Sequence, residues 1–142
     1  MEILISNRQN ISINLELIKN LSLFVLKEEK ANIKTEISFS LVKPLEMRQL
    51  NKQYRNKDEA TDILSFVFNE DKKPFNNLLG DIVLCPEEIQ VRALKNQLTF
   101  DKYFQLLIVH GVLHLLGYGH ESDSGAKVMS DTEEELLKKY QL

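Results

Sequence analysis

Tryptophan is absent from this chain of 142 residues, cysteine occurs once, histidine and proline three times each, and glycine five times. The single Cys85 excludes an internal disulfide framework, so the fold must rest on a hydrophobic core, which fits a reducing compartment. No tract rich in proline, glycine or serine reads as a linker and no internal repeat is visible, so one domain over residues 1–142 is expected. No apolar run approaches the roughly 20 residues of a membrane span. The opening MEILISN lacks the basic start and small-residue cleavage site of a secretory signal. A cytoplasmic protein with no membrane partner and no dinucleotide cofactor is expected. Positive charge is also in short supply: the net charge is −3 and the pI near 5.7, so any nucleic acid must meet a local basic patch.

What remains is an ordinary globular composition, 43% hydrophobic and 27% charged. EILIS (2–6) reads as a strand, and residues 14–27 as a helix with Ile18, Leu21 and Val25 on one face. KTEISFSLV (34–42) alternates, placing Ile37, Phe39 and Leu41 on one side of a strand. Pro44 opens a helix to about Tyr54. DILSFVFN (62–69) reads as a central strand, FNNLLGD (75–81) carries turn signals at Asn76, Asn77 and Gly80, and DIVLC (81–85) as a further strand. Pro86 starts a helix with Glu87 and Glu88 in its first turn. An apolar helix over about 102–116 ends at Gly117, and a last helix starts near Ser130, whose spacing to Glu133 is that of a capping box. The fold class predicted is α+β: a small mixed four-stranded sheet packed with about five helices.

All three histidines fall within HGVLHLLGYGH (110–120). His110 and His114 are one helical turn apart on the same face, so two imidazoles reach one metal ion. Gly117 ends that helix, and the following Tyr118 and Gly119 allow His120 to return over the same face. One such histidine would usually be structural. Three at this spacing, H-x3-H-x2-G-x2-H, point to a metal with open positions for water, whose pKa three neutral ligands would lower to roughly 7. A closed structural site, with Glu121, Asp123 or Cys85 as fourth ligand, is the alternative. The spacing is also that of the metzincin proteases, H-E-x-x-H-x-x-G-x-x-H, so a metzincin-like helix is expected. Gly111 stands where those enzymes carry their glutamate base, which argues against a peptidase.

A second patch lies in LEMRQLNKQYRNKDEATDILSF (45–66). On a helix Arg48, Lys52 and Arg55 form one basic face, while Met47, Leu50 and Tyr54 cluster on another that packs on the sheet. A charged stripe is most often a solvated face; the alternative is phosphate binding.

These stretches together resemble the YbeY family of bacterial metal-dependent endoribonucleases, which act in ribosomal RNA maturation. The matching segments are LNKQYRNKDEATDILSF (50–66), LGDIVLC (79–85), VHGVLHLLGYGH (109–120) and the tail pattern M…EEELL (129–137), in the family's order and at similar separations. The resemblance covers residue 50 onward well and the first 45 residues in outline. It implies that His110, His114 and His120 hold one divalent metal, usually taken as zinc, and that Arg55 contacts substrate phosphate beside it. Arg55 and His114 are then the expected catalytic residues, with Arg55, Arg48 and Lys52 holding the substrate. One departure is Gly119, where the family typically has aspartate; Glu121 or Asp123 is expected to take over any orienting role. Three functions follow in order: a single-strand endoribonuclease acting on ribosomal RNA with the ribosome as partner, a non-catalytic metal-stabilised assembly or RNA-binding module, and a metzincin-like peptidase. Whether water or the 2′-hydroxyl attacks is left open by the residues. Cys85 and Met129 are expected to be core side chains, Lys57 and Asp58 to shape the loop beside Arg55, and Ser65 to face the cleft.

Overall fold

Alternating apolar residues build a sheet in this protein, and residues at helical spacing cover both its faces. The computed structural model describes residues 1–68 and 77–141. Within them run β1 (Glu2–Arg8), α1 (Leu15–Glu28), β2 (Glu36–Val42), α2 (Pro44–Arg55), β3 (Ile63–Val67), β4 (Leu78–Leu84), α3 (Pro86–Lys95), α4 (Phe100–Leu115) and α5 (Asp123–Tyr140). The sheet order is β1-β2-β4-β3, with β1, β2 and β4 parallel and β3 antiparallel to β4. The described residues thus form the expected α+β domain with a four-stranded mixed sheet and five helices.

Strand periodicity divides the core in two. Ile37, Phe39 and Leu41 of β2 and Ile82 and Leu84 of β4 join Ile18, Leu21 and Val25 of α1 and Ile108 and Val112 of α4 in the larger cluster. Val83, Leu64 and Val42 point the other way, where Met47 of α2 and Cys85 close a smaller one. Burying each such aliphatic side chain contributes roughly 1.5–3 kcal/mol. α4 is buried on most sides because it lies between the sheet and α1, α3 and α5.

Several boundaries differ from the expectation. The central strand expected over 62–69 is β3, which lies at the edge of the sheet and ends at Val67; Asn69 and the turn residue Asn76 lie outside the described residues. Gly80 is not in a turn: it pairs with Val67, so the β3–β4 ladder carries the last strand back to Leu78. Tyr54 does not join Met47 and Leu50 in the smaller core cluster. It is 54% exposed and meets Phe66 edge-on, with ring centroids 5.2 Å apart. The largest difference is α5, which begins at Asp123 rather than near Ser130. The Ser122 hydroxyl accepts the Gly125 N–H at 3.1 Å and caps the helix two turns earlier, leaving Ser130 exposed in its interior.

Candidate metal and phosphate site

α4 delivers the first two histidines, and the way it ends delivers the third. Gly117 adopts φ +106°, a left-handed conformation open chiefly to glycine. The Gly117 N–H reaches the His114 carbonyl at 3.1 Å and the Tyr118 N–H the Leu113 carbonyl at 3.0 Å, a Schellman closure that turns the chain sharply back. The ring centroid of His120 consequently lies 5.7 Å from that of His110 and 6.2 Å from that of His114, the planes tilted by 22° and 26°. The three imidazoles line one cleft of about 400 Å³ with Ile63, Leu64 and Ser65 of β3 and with Arg55.

The donor chemistry fits a divalent metal. Around a tetrahedral ion with metal–nitrogen bonds of about 2.0–2.1 Å, three imidazole centroids stand roughly 5 Å apart, close to the separations found. His110 Nδ1 is 2.6 Å from Glu133 Oε1, which fixes that nitrogen and leaves Nε2 as the free donor. His114 Nδ1 is buried with no hydrogen-bond partner among the described residues. Burial pushes the His114 imidazole below its usual range, and the neighbouring His110 and His120 push it the same way, so it is neutral near pH 7, the form that ligates metal. The nearly parallel rings do not converge on one point, and among the described residues no three His, Cys, Asp or Glu side chains form a ready ligand set. Shared coordination requires the exposed His120 ring to turn.

Arg55 is the last residue of α2, which Asn56 closes in the left-handed region at φ 58°. β3 is an edge strand, and the outward carbonyl of Ser65 accepts from Arg55 Nη2 at 2.9 Å. The guanidinium sits 5.0 Å from the Phe66 ring centroid, a cation–π contact, and Nη1 reaches the Tyr54 carbonyl at 3.4 Å. The expected basic face is divided. Arg48 is tied to Asp58 at 2.7 and 3.2 Å, so the loop residue Asp58 meets Arg48 rather than Arg55. Arg48 and the exposed Lys52 do not line the histidine cleft; Arg55 does.

Other candidates take simpler places. Cys85 is fully buried in the smaller core, where burial pushes its thiol pKa up, and Met129 is buried in the larger core. Ser65 lines the cleft. Gly111 faces the sheet: a Cβ there would lie 3.0 Å from Ile82 Cδ1 and 3.2 Å from Ile63 Cδ1, so the peptidases' glutamate at this position of α4 would have to displace both side-chain ends. A Cβ on Gly119 would meet nothing within 4 Å, whereas the carboxylate that engages a histidine comes from Glu133, not from Glu121 or Asp123. Glu133 was legible as an acid on the stripe Met129–Glu133–Leu136 of the last helix, four and three residues from its buried neighbours. Arg92, which lines an adjoining compartment with Arg55 and Lys57, carried no signal in the sequence.

The sequence profile described as "Endoribonuclease YbeY" matches residues 4–141. A Clostridium botulinum protein named endoribonuclease YbeY is 38% identical over 163 aligned positions, covering 99% of this chain and 98% of its own. One of the same name from Staphylococcus carnosus is 36% identical, covering 88% of this chain and 85% of its own. A solution structure from Thermotoga maritima superposes with a TM-score of 0.65 at 27% identity, covering 98% of this chain and 91% of that one. With its profile matched almost end to end, this chain belongs to the YbeY endoribonuclease family.

Proposed function

We propose that the protein is a metal-dependent endoribonuclease that cuts single-stranded RNA during ribosomal RNA processing, in the cytoplasm and in association with the ribosome. The observation that carries this reading is the lining of one cleft by three imidazoles and by a guanidinium with donors to spare. His110, His114 and His120 would hold a single zinc or similar divalent ion. That ion, when bound, supplies a Lewis acid for phosphate and lowers the pKa of coordinated water.

The chain's own residues do the rest. Glu133 fixes the His110 ring so that Nε2 faces the cleft. Arg55 uses two of its five N–H donors on the Ser65 and Tyr54 carbonyls and presents the others to a phosphate, whose charge rises as the phosphodiester is cut. The apolar floor of Ile63 and Leu64 lowers the local dielectric and strengthens that contact. Gly111 packed on the sheet supports the nuclease over the peptidase, because the chain has no carboxylate at that position and a Cβ there would press on Ile82 and Ile63.

Arg55→Ala tests this. The variant is expected to keep fold and metal content and to cleave a labelled single-stranded RNA about a hundredfold more slowly. Wild-type cleavage should stop with chelator and return with metal. Equal cleavage by both proteins would remove Arg55 from the reaction. No cleavage by folded, metal-loaded wild type would favour the non-catalytic assembly module.

A further inference from the structure

We propose that Arg92 and Lys57, acting beside Arg55, form a second phosphate subsite that holds the phosphodiester next to the one cut at the histidine cleft. This rests on the single-strand endoribonuclease reading above. The histidine cleft does not end at Arg55: a second compartment of about 380 Å³ shares Arg55, Ile63 and Leu64 with it and continues past Asn51, Lys57, Thr61 and Arg92. Its size is that of an ordinary small-ligand site. A strand whose scissile phosphate meets Arg55 therefore has one continuous path toward α3.

The pairing of the basic residues singles this path out. The chain has four arginines. Arg8 is locked to Glu46 by two bonds of 2.7 and 3.2 Å, and Arg48 to Asp58 in the same way. Arg55 and Arg92, the two that line the compartments, have no such clamp. Arg92 stands 3.5 Å from Asp62 and 3.7 Å from Glu88, beyond the roughly 2.7–2.9 Å of a charge-assisted hydrogen bond. Its guanidinium donates no hydrogen bond among the described residues. Asp62 is already satisfied by the Ile63 N–H at 2.8 Å, the Tyr103 hydroxyl at 2.6 Å and the Thr61 hydroxyl at 3.2 Å. It steers Arg92 electrostatically without consuming its donors. Lys57 is exposed, and no ion pair or hydrogen bond engages its ammonium among the described residues. Three cations thus line the compartment with the carboxylate of Glu59, while Asp62 and Glu88 stand 3.5 and 3.7 Å from Arg92 without taking a hydrogen bond from it.

The test measures binding and cleavage separately. A fluorescent single-stranded RNA decamer is titrated by anisotropy, in chelator and with zinc, into wild type, Arg92→Gln, Lys57→Ala and the control Lys127→Ala, which removes an exposed lysine paired to Asp131 on α5. Circular dichroism confirms each fold. Arg92→Gln and Lys57→Ala should each raise Kd about five- to tenfold and lower the slope of log Kd against log salt by about one, while the control follows wild type. In cleavage the loss should fall on KM, and the ratio of variant to wild-type KM should shrink as the substrate is shortened to a dinucleotide. Unchanged Kd in both variants, or the same loss in the control, overturns the subsite. A wild type that binds RNA through Arg92 and Lys57 but cuts nothing under any metal overturns the nuclease reading and leaves the subsite standing.

Discussion

The Glu133 carboxylate decides which nitrogen of His110 is left over for a ligand. It is only 12% exposed, so its 2.6 Å contact is weakly screened by water. Glu133→Gln preserves size and removes the charge that holds the ring. Zinc affinity should fall about 10- to 100-fold, read by competition with a chromophoric chelator, with little change in the chelated protein's melting temperature. Unchanged affinity would reduce Glu133 to a helix side chain. Tyr103 offers a second test at this scale. Burial, then the Asp62 carboxylate that accepts its hydroxyl, pushes its pKa from 10.0 up to about 12. A folded pKa above the unfolded value means that the stabilisation is whole below pH 10 and is lost as pH rises toward 12. Ring resonances of Tyr103 followed against pH should show late ionisation, moved earlier by Asp62→Asn. Ionisation near pH 10 in wild type would contradict the buried hydrogen bond.

At the scale of elements, the end of α4 places His120, and it turns on one residue. Gly117→Ala forces a side chain into φ +106°, at a cost of about 1–2 kcal/mol, and loosens the return of the chain. The melting temperature should drop by roughly 3–8 °C, and zinc affinity should fall with it. A drop in stability with unaltered zinc affinity would show that the turn serves the fold alone. This closure was readable because glycine after an apolar helix is a strong signal, and the strand cores Ile37–Phe39–Leu41 and Ile82–Leu84 were readable from their alternation. The start of α5 was not. Ser122 and Ser130 are equally good caps in sequence; in the fold Ser122 caps α5, and Met129 lies inside the helix, buried against the larger core. Gly80 misled for a related reason, since a glycine inside a paired strand looks like a turn until its partner Val67 is known.

Across the whole molecule, the site joins segments far apart in sequence: the end of α2, the edge strand β3, the end of α4 and one side chain of α5. That the three histidines line one cleft was legible because they lie within eleven residues. Arg55 was legible as a member of a basic stripe, but only the tertiary fold separates it from Arg48, which Asp58 claims, and adds Arg92 from α3. Spacing along a chain reports local faces and says little about which distant carboxylate neutralises which cation. Under the proposed function, a metal held by the three histidines would tie α4 to its C-terminal turn and, through Glu133, to α5. With zinc at a hundred times its dissociation constant, binding to the folded state alone adds about 2.7 kcal/mol. For a chain of this size the melting temperature should rise by roughly 6–12 °C. His120→Ala should abolish most of that rise while leaving the chelated protein's melting temperature almost unchanged, because the His120 side chain is exposed and lies outside both cores. Calorimetry with and without zinc on both proteins reads this directly. Equal zinc shifts in wild type and variant would mean that the ion sits elsewhere, and the three-histidine site would have to be given up.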